Sequence, residues 1–399
     1  MTGTGITTRF ALPAAFAALL AYTVPAVALD TDAFLDRLQA VMAEQGTNVG
    51  WAEIDQYEND DGDPVIGLID VNVEVNGEGT TLPLVELIDV TEQGGGWRVG
   101  TLLVPEFSNQ DGDSAVYLSE IAVDGMLLEP EGQENAYGGA LFYEAARLAE
   151  MAVTVKGVDV FTMTDMAIEV DLPEGGEPMV FTGAAEAFTA KPGAADDPKT
   201  RATAAALGYS DISGSFAIDG DWDPASGLLR LTRYDITVDD AGTIGISLEI
   251  GGYTPDFIKS LRETQAAMLA NPNGDQSASG MAMLGLMQQL SFHSARIHFD
   301  DDTLTNKVLE FAAQQQGGRA RDVANQAKAM VPFMMMQIGD QQLTAQATTA
   351  VSAFLDNPGN LVVSAAPPAP VPFALLMAGA MSAPQTLPQT LGVTITANE

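Results

Sequence analysis

The spacing of apolar residues divides the chain into three stretches. Residues 10–27 are almost continuously apolar, interrupted by Pro13 and Pro25. From about residue 49 to 251, short runs alternate apolar with polar residues, the period-two signature of half-buried strands. Val71, Val73 and Val75, for example, alternate with Asn72 and Glu74. From Pro255 onward, helix-like segments dominate.

In the middle stretch the pattern predicts strands near Val49–Tyr57, Pro64–Val75, Thr81–Thr91, Trp97–Phe107 and Ala115–Leu128. Turn-rich breaks separate them: Asn59-Asp-Asp-Gly-Asp63, Asn76-Gly77, Gly94-Gly-Gly96 and Asn109-Gln-Asp-Gly-Asp113. Short, regular intervals of this kind indicate an antiparallel meander. Tyr137–Met151 is ambiguous, because Ala140–Glu150 holds helix formers and runs straight into the strand-like Met151–Lys156. Further strands are expected near Val158–Leu172, Pro178–Ala190, Asp211–Asp221, Leu228–Val238 and Thr243–Gly251.

Helices are predicted at Thr31–Glu44, Pro255–Asn271, Ser277–Leu290, Asp302–Gln316, Arg319–Ile338 and Gln341–Asp356. The first carries Phe34, Leu35, Leu38, Val41 and Met42 on one stripe, with Asp30 or Thr31 as its cap. Asp301 or Asp302 is the expected cap of the fourth. Ser291–Phe299, Leu361–Ala365 and Gly392–Ala397 read as strands, with a short helix near Phe373–Met381. Blocks of strands followed by a block of helices argue for α+β: long antiparallel meander sheets with a helical C-terminal part packed on them. Three regions follow: a leader at 1–28, an acidic β-rich region at 29–190 and an α+β region at 191–399. Lys191–Thr200, with two prolines and two aspartates, is the expected linker.

The first stretch has the three parts of a cleavable secretory signal: Arg9 as the only charge, an apolar run, and Ala26-Val27-Ala28 before the acidic Leu29-Asp30. An exported protein released near Ala28 is therefore expected. The chain has no Cys, so disulfides, thiolate metal sites and a lipid anchor on Cys are excluded. The longest later apolar run, Val371–Met381, is too short to span a bilayer.

Charge narrows the partners. The chain carries 54 acids against 17 bases, a net −37, and residues 30–135 hold 24 Asp and Glu against only Arg37 and Arg98. Nucleic-acid binding needs a basic footprint that this chain lacks. The acids serve solubility, or else a cation-binding face.

Catalytic constellations are sparse. His293 and His298 are the only histidines, and a spacing of five places them on opposite faces of a strand. Asp219-Gly-Asp221-Trp-Asp223 resembles the start of a calcium loop, but Pro224 and Arg230 stand where Gly and Glu are needed. No Gly-x-Ser-x-Gly, Ser-x-x-Lys or phosphate-cradling glycine motif is present. No cofactor is called for. Ten of the 17 methionines follow residue 255. Their ordinary role is flexible core filler; the functional reading is an adaptable apolar groove, with Met283, Met287, Met330 and Met334 as its candidate lining.

A resemblance adds an address. It rests on Tyr234-Asp-Ile-Thr-Val-Asp-Asp-Ala-Gly-Thr243, Ala295-Arg-Ile-His-Phe-Asp-Asp-Asp-Thr-Leu304, Phe354-Leu-Asp-Asn-Pro358, Ala369-Pro-Val-Pro-Phe373 and Leu391-Gly-Val-Thr-Ile-Thr-Ala-Asn398. Over about residues 205–399 the chain resembles a group of uncharacterised exported proteins of alphaproteobacteria. The strand, Asp-Gly turn, strand rhythm is more loosely similar to envelope proteins of the AsmA or DUF945 type. The resemblance implies a periplasmic location and supplies no activity or site residues. The resulting expectation is a periplasmic, non-enzymatic envelope protein that binds a lipid or other apolar ligand, or a protein partner. The alternative is a hydrolase that uses carboxylates, with calcium as its candidate ion.

Overall fold

The computed structural model describes residues 29–44, 46–75, 78–133, 137–172, 177–195, 197–270, 276–336 and 338–399. The leader at 1–28 lies outside them. The fold is α+β, as the blocks of strand and helix predict.

The first region opens with α1 (Thr31–Glu44), whose N-terminus is capped where Asp30 Oδ1 accepts from the Ala33 amide at 3.0 Å. The strands β1 (Thr47–Gly50), β2 (Glu53–Glu58), β3 (Pro64–Val75), β4 (Glu78–Gln93) and β5 (Gly96–Val104) follow. Next come β6 (Phe107–Asp111), β7 (Ser114–Leu118), β8 (Ile121–Leu128) and β9 (Leu141–Phe142). Two long strands, β10 (Ala145–Val155) and β11 (Val158–Asp171), lead to β12 (Met179–Ala190). The ambiguous segment after Tyr137 is thus extended. Its helix formers are overridden because β10 is held on both sides, by β7 and β8 on one edge and β11 on the other.

The expected linker is a short 3-10 turn (Pro192–Ala194) and the start of α2 (Pro198–Leu207). Asp197 caps α2, accepting from the Lys199 and Thr200 amides, and Gly208 ends it in the left-handed conformation. Three strands follow: β13 (Ile212–Asp223), β14 (Leu228–Val238) and β15 (Gly242–Gly251). The helical part holds α3 (Pro255–Ala270), α4 (Gln276–Met287), α5 (Leu304–Gln316), α6 (Ala320–Met335) and α7 (Gln341–Asp356). It is interleaved with β16 (Ser291–Asp301), β17 (Asn360–Ala365) and β18 (Val371–Pro372), and closes with α8 (Phe373–Ser382), α9 (Leu387–Thr390) and β19 (Val393–Ala397). Asp301 Oδ1 accepts from the Thr305 amide at 2.7 Å, satisfying the first turn of α5.

Every pairing is antiparallel, and the pairings join end to end. The series runs β2, β3, β4, β5, β8, β10, β11, β12, β13, β14, β15, β16, β17, β19. One sheet therefore crosses the boundary that the sequence sets at residue 190, through ten paired positions of β12 and β13. A twisted sheet this wide curls rather than lying flat.

The main core sits at the start of that sheet. Phe34, Leu35, Leu38 and Val41 of α1 pack on Ile66, Leu68, Val85, Leu87, Val99, Met126 and Leu128. Arg37 is buried beside them because its guanidinium donates to the Glu129 carbonyl at 2.9 Å and meets Glu44 at 3.3 Å. A smaller cluster of Phe257, Leu286 and Leu290 ties α3 to α4, with Met287 and Phe373 packed against it.

Candidate functional site

Strand alternation gives the sheet two faces of different chemistry. One row of directly opposed residues crosses nine strands without a polar side chain: Leu148, Met166, Ala185, Phe216, Ile236, Ile244, Phe299, Leu361 and Ala397. A second row on the same face reads Val170, Phe181, Gly220, Leu231, Leu248, Ala295, Ala365 and Val393. Eight inter-strand steps of ~4.8 Å make the first row roughly 38 Å long. Toward the N-terminus Leu148 stands opposite Ile121, which packs against the main core. The core and this apolar face are one continuous surface. The α1 helix covers its beginning.

Beyond β10 the cover is incomplete. Ile168, Ile236, Ile244, Ile246, Ile297 and Val363 are exposed, Ile297 to 49%. Single exposed apolar residues are ordinary, whereas a contiguous apolar surface marks a binding site. Two glycines smooth this face. A Cβ on Gly220 would lie 2.3 Å from the Phe181 ring, and one on Gly214 would lie 2.7 Å from the Phe188 ring. Each ring occupies the space over a glycine on the neighbouring strand.

Two cavities open on the same face, at opposite ends of the strands. One, of about 720 Å³, lies between the end of α1, residues 141–143 and α3, over Val170 and Met179. Its lining includes Glu44, Arg262 and Gln265, and the Arg262 guanidinium also donates to the Gly138 carbonyl at 3.1 Å. Beside this end, Tyr137, Trp222, Tyr253 and Phe257 form a chain of ring contacts 5.5–6.1 Å apart. Trp222 Nε1 donates to the Tyr253 carbonyl at 2.6 Å, so the indole is buried with its one donor satisfied. The other cavity, of about 390 Å³, lies under α2 and the start of α5. Ile236, Ile244 and Phe299 of the apolar face form its floor.

The reverse face is polar and its charges are paired. Across β13 and β14, Arg230 Nε donates to Asp221 Oδ1 at 2.9 Å and Arg233 lies 3.6 Å from Asp219. Along β14, Arg233 Nε also donates to Asp235 Oδ2 at 2.9 Å. His298 Nε2 lies 3.4 Å from Asp300 Oδ2 and 3.8 Å from Asp235 Oδ1, its ring resting over Gly245. His293 was expected on the face opposite His298. A β-bulge corrects this: Glu249 pairs with Ser294 but Ile250 with Phe292, leaving His293 out of register. Its Nδ1 lies 3.3 Å from Glu249 Oε1, so each histidine has its own carboxylate.

Among the described residues, three carboxylates sit below their ordinary range. A hydrogen bond from the Ser226 hydroxyl holds Asp223 down, the Thr200 hydroxyl does so for Asp197, and Arg319 for Asp322. All three belong to turns or helix starts. The Asn59 turn is closed in the same local way, with Asn59 Oδ1 accepting from the Asp61 and Asp63 amides. Among the described residues no group of three or more His, Asp or Glu could hold a metal ion.

The four methionines fall into two helix groups. Met287 packs into the Phe257 cluster and Met283 is half-buried, both on α4 beside α3 and α8. Met330 and Met334 are exposed on α6, between α5 and α7. The sheet's apolar face, which sequence reasoning did not single out, is the larger apolar surface. Its signal was present in the period-two pattern of β11 to β16.

A family model described as "Uncharacterized protein" matches residues 235–398, from within β14 to the end of β19. No curated protein matches the chain. Among the described residues no helix is long and apolar enough to cross a membrane.

Proposed function

We propose that the protein is a periplasmic, non-enzymatic carrier that binds the alkyl chains of a lipid along the apolar face of its sheet. The observation that carries this reading is the nine-strand row from Leu148 to Ala397, apolar throughout and only partly covered. A peptide laid across this face would find no hydrogen-bonding side chain along that row. Each methylene moved from water onto such a surface contributes up to about 0.8 kcal/mol, so a long chain is held and a short one is not. The leader pattern around Arg9 and Ala26-Val27-Ala28 supports the periplasm as the place of action.

The hydrolase reading asks for acids that converge in a cleft with raised pKa values. The carboxylates described above are instead spent on cross-strand ion pairs and turn caps. The test of the carrier reading is native mass spectrometry of protein purified from the periplasm without detergent, with lipid extraction of the same sample. Co-purifying lipid lost in an Ile246→Asp, Ile297→Asp variant is the expected outcome. A lipid-free wild-type protein that also takes up no lipid from vesicles would overturn it.

A further inference from the structure

The two cavities on the apolar face differ in chemistry, and that difference gives the bound chain a direction. Val170 and Met179, over which the larger cavity opens, lie at one end of β11 and β12. Ala190 lies at the other end and pairs with Ile212, which lines the smaller cavity. The strand length between them, nine residue steps from Val170 to Phe161, spans ~30 Å. The larger cavity has Arg262, Gln265 and Glu44 in its lining. The smaller one exposes no polar surface at all.

The smaller cavity is built to stay apolar. Tyr209 lines it, yet its hydroxyl donates to the Asp240 carbonyl at 3.1 Å and lies 3.3 Å from Thr303 Oγ1. Lys307 Nζ sits 4.0 Å over the same ring. The Ala241 carbonyl accepts from the amides of Asp302, Thr303 and Leu304, so the turn that leads into α5 leaves no free amide there. The rest of the lining is aliphatic or aromatic, with Ala204 of α2 and Leu304 of α5 as its roof. Apolar cavities of ~150 Å³ take up a benzene ring, and this one is about 390 Å³.

We infer that the cavity under α2 and α5 receives the terminal methyl end of the bound alkyl chain and thereby sets the chain length that the protein accepts. This rests on the carrier reading above. The polar end of the same ligand then lies toward Arg262 and Gln265. Ala204 and Leu304, which line the cavity from α2 and α5, are then specificity-determining residues: side-chain volume added at the first shortens the space for the chain, and volume removed at the second lengthens it.

The experiment uses the full chain and two graded series of probes. One is phosphatidylethanolamine vesicles whose acyl chains differ in length, the other free straight-chain fatty acids of the same lengths. Bound species are read by native mass spectrometry, with circular dichroism confirming the fold. Ala204→Phe is expected to shift the preferred length down by several carbons, and Leu304→Ala to shift it up, each at unchanged stoichiometry. Uptake from only one series identifies whether the alkyl chain belongs to a membrane lipid or a free acid. Both variants keeping the wild-type length preference would overturn the inference while leaving the carrier reading intact. If wild-type protein binds neither series, the carrier reading fails first and this inference with it. Should Ala204→Phe fail to fold, the direction of the Leu304→Ala shift decides alone.

Discussion

The beginning and the remainder of the sheet share one apolar surface and use it differently. Over β3, β4, β5 and β8 the α1 helix seals it, and Leu87, Val99 and Phe34 are wholly buried. From β10 to β19 the same face continues, yet Ile244 and Ile297 are nearly half exposed. Residue type and alternation are alike in both halves. A pattern of apolar residues therefore establishes a surface, and the presence of a covering element decides between core and site.

The comparison can be broken most forcefully in the sealed half. Phe34→Ala removes a ring at 0% exposure and should cost about 3–5 kcal/mol, read as a lower urea midpoint. Next is Gly220→Ala. Its Cβ would lie 2.6 Å from the Arg230 carbonyl as well as against Phe181, so about 1–3 kcal/mol is expected, with weaker lipid uptake. In the open half Ile297→Asp should change stability by only about 0.5 kcal/mol, because the side chain is half in water already. Its effect should fall on lipid binding instead. Equal loss of stability from Phe34→Ala and Ile297→Asp would erase the distinction between the two halves.

The smallest effect concerns α2, which roofs the smaller cavity. The Thr200 hydroxyl and amide hold the Asp197 carboxyl below its ordinary range. A lowered folded pKa means that this cap stabilises above the ordinary aspartate range and is lost as pH falls through the folded value. Acid should therefore loosen α2 before the sealed core. Hydrogen exchange at Ala204 and Ala205 measures it, and Asp197→Asn should reduce the pH dependence.

Much of the architecture was legible in the sequence. The bounds of α7 and the cap of α1 follow from periodicity and a single aspartate. The first half of β10 was not, because Ala146 and Leu148 favour a helix when read alone and are set extended only by distant partners; its second half, from Met151, reads as strand. The continuity of the sheet across residue 190 was hidden for the same reason: β12 and β13 are joined by a turn and a helix, and a local pattern cannot say that they pair. The site was half legible. The alternation in β11 to β16 marks one apolar side, whereas Met283 and Met287 lie on α4 and Met330 and Met334 on α6. What no local pattern contains is that the later helices leave much of that side uncovered. The bulge at His293 was equally invisible, since one extra residue reverses the face on which a side chain emerges.

The outermost strand β2 has a consequence for growth. All six of its residues are exposed, and three of them, Glu53, Asp55 and Glu58, are acids. A long sheet with bare edges is a monomer in the chemist's sense, able to add copies of itself strand against strand. Head-to-tail addition needs both edges to be reactive. The far edge, β19, carries no charge between Val393 and Ala397. The carboxylates on β2 work as a chain terminator would at the other end, since charge on an exposed edge strand disfavours the addition of another copy.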